Sequence, residues 1–165
     1  MPVTISGSTG INTPLGSTTT ASHGNTTAAN SGMYFPSSTT VALAVNGSAA
    51  LTADTTGVSD SVGNLRTIPI NSQTTGYTLV ATDNGKFISI TTGGVTVPAS
   101  IFSAGQNVVI FNNSSSTQTI TQGSSVTMTL AGSTTTGNRS LASYGVATVL
   151  CTASNTFVIT GQGLT

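Results

Sequence analysis

A chain of 165 residues has room for one domain with an arm, or for two small modules. Only 4% of it is charged, with Arg66, Lys86 and Arg139 balanced by Asp54, Asp60 and Asp83 and no glutamate at all, against about 25% in an ordinary globular protein. This leaves almost no support for a nucleic-acid or anionic-membrane surface, which needs clustered Lys and Arg, or for a chain held expanded by charge.

Solubility must come from Thr, Ser, Asn, Gln and backbone amides, and such a neutral surface is prone to associate. The 36% hydrophobic content is rich in Val, Ile, Leu and Ala, enough for a modest core. With Cys151 as the single cysteine, neither an intrachain disulfide nor a cysteine-based metal cluster is possible. Its strand-like setting, Val146 to Cys151, predicts a buried small hydrophobe. No cationic stretch followed by an apolar run opens the sequence, so no Sec-type signal is expected. No apolar stretch approaches the ~20 residues that span a bilayer.

In chain order, residues 1–40 read as an extended arm. The clusters Gly16-Ser-Thr-Thr-Thr and His23-Gly-Asn-Thr-Thr have no sustained period, and Val3, Ile5, Ile11 and Leu15 are scattered anchors. Such a segment buries too little apolar surface alone to offset its ordering entropy. It is expected to order along a neighbouring subunit. Met33, Tyr34 and Phe35, followed by Pro36, are its one concentrated apolar spot and the candidate interface residues. They serve equally well as an anchor onto the chain's own domain.

Residues 41–64 read as a small hairpin and linker. Val41-Ala-Leu-Ala-Val and Ser48-Ala-Ala-Leu-Thr flank Asn46-Gly47, the preferred pair for a two-residue turn with both φ positive. A polar linker to Asn64 marks the main boundary.

Residues 65–165 read as an antiparallel β-sandwich or barrel. Its strands are expected at Arg66–Ile70, Tyr77–Thr82, Phe87–Thr91, Val95–Pro98, Asn107–Asn112, Gln118–Gln122, Val126–Ala131, Tyr144–Thr152 and Thr156–Gly161. Asp83-Asn84-Gly85 is expected to close a hairpin between the second and third of these. A short helical turn is expected after Pro98. Thr-Thr-Gly recurs at 55–57, 74–76, 91–93 and 135–137; the uneven spacing reads as turn chemistry rather than a solenoid repeat. The fold class is therefore all-β, with an N-terminal arm.

Catalysis needs titratable groups that converge, and few are present. His23 lies beside Gly24 in the expected arm, a poor support for a general base. Asp83 in a tight turn is fully explained by accepting backbone N–H bonds. Asp54 and Asp60 have no companions to complete an oxygen cage. No nucleophile elbow or phosphate loop occurs. No catalytic residue, cofactor or metal is expected, and the chain reads as a non-enzyme. Without Trp, a carbohydrate platform is poorly supported. The Thr-X-Thr runs, Thr117-Gln-Thr-Ile-Thr and Thr127-Met-Thr, put hydroxyls on one strand face, as ice-binding surfaces do, but without a regular array.

Several segments carry a resemblance: Tyr77-Thr-Leu-Val-Ala-Thr-Asp-Asn-Gly-Lys-Phe-Ile-Ser; Thr91-Thr-Gly-Gly-Val-Thr-Val-Pro-Ala-Ser-Ile-Phe-Ser-Ala-Gly; Asn112-Asn-Ser-Ser-Ser-Thr-Gln-Thr-Ile-Thr-Gln-Gly; Leu130-Ala-Gly-Ser-Thr-Thr-Thr-Gly-Asn-Arg; and the tail from Ala147 to Gly161. Together, over roughly residues 65 to 164, they resemble a β-structured domain of tailed-phage virion proteins, found in cyanophage and marine phage tail-fibre and head-surface proteins. The resemblance implies a non-enzymatic, surface-displayed, usually trimeric protein of the virion and supplies no catalytic residues. A compact knob with an extended arm suits a capsid decoration (cement) protein that binds the major capsid protein. The alternative is a tail-fibre or receptor-binding tip, with a host-surface receptor as partner.

Overall fold

The computed structural model describes residues 15–165, apart from residues 26 and 66, and separates into two compact units with the boundary between Thr67 and Ile68. The first unit is a five-stranded antiparallel sheet in simple chain order: β1 (His23–Asn25), β2 (Ala28–Ser37), β3 (Thr40–Val45), β4 (Ser48–Asp54) and β5 (Gly57–Ser59). The Asn-Gly turn forms as expected, with Asn46 at φ 49° and Gly47 at φ 77° closing the Val45–Ser48 pair.

His23–Asn25 and Ala28–Ser37, expected within an extended arm, are instead two strands of this sheet. The polar start of β2 hid it, since Asn30 and Ser31 break any apolar alternation. Those residues secure the neighbouring hairpin. Ser31 Oγ accepts the Asn46 N–H at 2.9 Å, Asn30 Nδ2 donates to Asn46 Oδ1 at 3.2 Å, and the Gly47 N–H donates to the Asn30 carbonyl at 2.8 Å. The expectation for residues 1–14 concerns positions outside the described residues.

The second unit contains β6 (Ile70–Gln73), β7 (Tyr77–Thr78), β8 (Phe87–Ile90), β9 (Val95–Val97), β10 (Asn107–Asn112), β11 (Gln118–Gln122), β12 (Thr127–Leu130), β13 (Arg139–Ala153) and β14 (Thr156–Leu164). One sheet runs β6-β8-β10-β13-β11-β9-β7, with β14 on β13 and β12 on β14. It folds over itself about β13, whose C-terminal half pairs β10 while its first residues pair β11. A bulge between Leu141 and Val146, with Tyr144 at φ 57°, separates the two halves. The inward residues of both arms make one core, including Ile88, Ile90, Val95, Val97, Val108, Ile110, Ile120, Phe157 and Ile159. The fold is all-β, as expected of a sandwich or barrel.

The pairing is not the purely antiparallel one expected. β6, β8 and β10 lie parallel in one arm, and β7, β9 and β11 lie parallel in the other. Each successive pair of strands is thus one coil that visits both arms, and three coils stack. Ile70, Phe87 and Val109 stand in line, as do Tyr77, Val95 and Ile120. Parallel neighbours need a crossover, which usually takes a helix; here the opposite arm of the sandwich provides it.

The hairpin expected at Asp83-Asn84-Gly85 is therefore absent, because β7 and β8 belong to different arms. A 3-10 turn at Ala81–Asp83 carries the chain between them, and Gly85 takes the expected positive φ of 75°. The helical turn expected after Pro98 is likewise an irregular turn, with Ser100 at φ 62° and its N–H donating to Asn155 Oδ1 at 2.7 Å.

Two of the Thr-Thr-Gly copies turn out to be equivalent corners. Thr74–Gly76 links β6 to β7, and Thr91–Gly93 links β8 to β9, one directly upon the other. Gly93, at φ 83°, leaves no room for a side chain: a Cβ there would lie 2.4 Å from the Gly76 nitrogen. Gly85 also needs a positive φ, yet a Cβ there meets nothing within 4 Å. Gly85→Ala is expected to cost about 1 kcal/mol, the left-handed penalty alone, and Gly93→Ala about 3 kcal/mol or more, because backbone must also move. Urea unfolding of both variants checks this; equal costs would mean that the corners are not in close contact.

Candidate functional site

Among the described residues the titratable groups are dispersed, and each of the three aspartates has a structural task. Asp54 Oδ1 accepts the N–H and hydroxyl of Thr56, at 2.7 and 2.6 Å. Those bonds hold its carboxyl below the ordinary aspartate range, the hydroxyl contributing most. Asp60 Oδ1 accepts the N–H groups of Val62 and Gly63. Cys151 is buried, as expected, with its thiol near the Phe102 and Ala153 carbonyls. His23 is exposed on β1 and edge-on to Phe35, with ring centroids 6.3 Å apart. No group of three or more potential metal ligands occurs among the described residues. None of their helices is long and apolar enough to cross a membrane.

The fully buried Asp83 is the centre of the densest polar network. Its Oδ2 accepts the Tyr77 hydroxyl at 2.8 Å and the Val80 N–H at 2.9 Å, and its Oδ1 accepts Asn71 Nδ2 at 2.9 Å. Lys86 Nζ lies 3.7 Å from Oδ1. Asn71 also donates to the Tyr77 oxygen and accepts from Gln73 Nε2. Every member comes from the first coil or from the crossing into the second, so the carboxylate pins that crossing. Its structural role, expected from sequence, takes in side chains as well as backbone.

A second buried group stitches the later corners. Gln118 Oε1 accepts the Gly94 N–H at 3.0 Å, and its Nε2 donates to the Thr91 carbonyl at 3.1 Å. Asn112 Nδ2 donates to the carbonyls of Ser116, Leu141 and Ala142. Buried Arg139 donates to the Thr135 and Asn138 carbonyls, while its Nε has no partner. These polar side chains replace the backbone pairing that tight corners cannot make.

The candidate interface trio divides between two faces of the first sheet. Tyr34 is only 6% exposed and packs with Ala42 and Ala44. Met33 and Phe35 point to the other side. There the register sets His23, Met33, Leu43 and Leu51 side by side, and Val41 beside Ala53 and Val58. Val41, Leu43 and Val45 on this face are 41%, 45% and 60% exposed. Among the described residues it carries no carboxylate, lysine or arginine. The sequence reading missed these three valine and leucine positions as interface residues. The signal was available in Val41-Ala-Leu-Ala-Val: the small residues lie under Tyr34 and the large ones face out, the reverse of an ordinary half-buried strand.

The Thr-X-Thr run on β11 gains an order that the sequence lacks. Register brings Thr121 into line with Thr96 and Thr78 across three parallel strands, and Thr119 lies beside Ser140. The rank is three threonines long. In the other run, Thr127 lies beside Thr156, but Thr129 lies beside Val158.

No family model, curated protein or solved structure matches this chain.

Asp83→Ala strands the Tyr77 hydroxyl, Asn71 and the Val80 N–H, and is expected to cost about 3 kcal/mol or more. Thermal and urea melts measure this; a loss under about 1 kcal/mol would contradict the pinning role. Tyr77 is raised above the ordinary tyrosine value of 10.0, first by burial and then by its bond to Asp83. A raised folded-state value stabilises fully below the unfolded value and is lost as pH climbs through the folded one. Wild type should therefore lose more melting temperature than Tyr77→Phe as pH rises beyond 10.0, which parallel melts would reveal.

Proposed function

We propose that this chain is a non-enzymatic structural protein of a tailed-phage virion, acting as a capsid decoration protein that adds interface to the head as an oligomer. The observation that carries the reading is the open apolar face of the first unit, centred on Met33, Phe35, Val41, Leu43 and Val45. It occurs in a chain whose described carboxylates are all engaged in turns or networks. Burying such a face stabilises at ~25 cal/mol per Å² of apolar area. Doing so without ions avoids the desolvation penalty that charged contacts incur. In this reading the sheet face, rather than a lacing arm of residues 1–40, meets the major capsid protein.

The stacked coils of the second unit favour one alternative, a tail-fibre or receptor-binding tip. A coil stack lengthens by repetition into a shaft. Against it, the stack is only three coils deep and ends on β13 and β14.

Gold-labelled antibody against the protein, viewed on purified phage particles, separates the two. Label over the whole head supports decoration; label at the tail alone sinks it and promotes the tip. Leu43→Lys combined with Val45→Lys is expected to weaken binding to undecorated heads at least about tenfold, a loss of about 1.4 kcal/mol. Circular dichroism should stay unchanged, because both positions are exposed. Undiminished binding would remove this face from the contact.

A further inference from the structure

The second unit has an apolar face of its own, unrelated to the trio singled out in the sequence. On the outer side of the arm containing β6, β8, β10, β13 and β14, register places side chains in ranks. Ile70, Phe87, Val109, Thr148 and Thr160 form one rank, and Ser72, Ser89, Phe111, Val146 and Gln162 the next. Leu150 lies beside Asn107 and Val158 in a third. Ile70 is 68% exposed, and Val146 and Leu150 are each 39% exposed. Phe87 and Phe111, half-buried, stack at 5.8 Å between centroids. No residue in these ranks is ionisable.

We propose that this face is the surface on which a second copy of the chain packs, sheet against sheet. Two observations choose that occupant. The first is charge. A face without ions on a chain of zero net charge meets its own copy with neither repulsion nor a charge to desolvate. It also offers nothing to a charged partner. The second is size. The thirteen outward positions of these ranks, on five strands about 4.8 Å apart and spaced about 6.7 Å along each strand, span on the order of 400 Å² of plane. Side-chain relief raises the accessible area toward the roughly 800 Å² per partner of a stable complex. Packing such faces at the usual ~10 Å between sheets buries the Phe87–Phe111 pair, the kind of aromatic centre that dominates interface energies. One face packed on its own copy makes an isologous pair about a two-fold axis.

This inference deepens the proposed oligomer by giving it a surface, but its test needs no phage particle. Failure here therefore leaves the virion assignment standing, and the reverse. The full chain would be examined by sedimentation velocity and light scattering at about 1 to 100 µM, spanning ordinary self-association affinities. Wild type is expected at twice the 16.3 kDa chain mass. Ile70→Lys and Leu150→Lys should each raise the dissociation constant at least about tenfold, with unchanged circular dichroism. Val45→Lys, on the first unit, should leave the mass unaltered. Should either lysine variant unfold, Leu150→Thr, a polar residue that strands accept, takes its place. A wild type monomeric throughout, variants that keep the oligomer, or dissociation by Val45→Lys alone would each overturn the proposal.

Discussion

Strands that follow one another through the chain can lie parallel only if the chain leaves the sheet and comes back at the same end. In most proteins a helix makes that return and covers the sheet. Here the return is a strand in the opposite arm, and much of the second unit follows from this constraint. A strand crossover reaches a facing layer only by turning sharply twice per coil. Each turn exposes backbone groups that no ladder can satisfy. The buried polar residues are the answer: Asp83 at the first crossing, and Gln118 and Asn112 at the corners that follow. In a chain with so few charged groups, one of three aspartates and one of three cations are spent at a single crossing. Stacked corners must also approach closely, hence Gly93 against Gly76.

This explains which features of the fold were legible in the sequence. Strand positions were, because β-branched and aromatic runs between turn residues announce them locally: Asn107–Asn112 and Gln118–Gln122 fall where expected. Partners were not. The run from Tyr77 through Gly85 to Ile90 has the local chemistry of a hairpin, and its glycine does take a left-handed conformation. What decides otherwise is the Asp83 carboxylate, which gathers Tyr77, Asn71 and Val80 into a 3-10 crossing. Those partners are distant enough in sequence to leave no periodic signal. Uneven spacing of Thr-Thr-Gly hid the coil repeat for a related reason, since coils of different length stack in register provided that their corners coincide.

The candidate site was partly legible. Met33 and Phe35 belong to the open face, whereas Tyr34 between them does not, as strand alternation requires once β2 is known to be a strand. The obstacle was the polar beginning of β2, which made the segment read as an arm. Its hydrogen bonds to the Asn46-Gly47 turn are long-range facts. Val41, Leu43 and Val45 were seen as hairpin residues but not as surface, because a sequence shows alternation without showing which side is in.

The inversion at β3, with alanines inside and larger residues outside, connects structure to purpose. A monomer selected only for its own stability would turn Val41, Leu43 and Val45 inward, since each buried side chain of that kind is worth roughly 1.5–3 kcal/mol. Leaving them out is a cost to the isolated chain, and the outer ranks of the second unit repeat it with Ile70, Val146 and Leu150. Solubility does not come from charge, so these faces are screened only by neighbouring hydroxyls and amides. Under the proposed function, the two apolar faces, one on each unit, divide the work: one binds copies of the chain and the other binds the head. That division of labour is what a protein covering a particle requires.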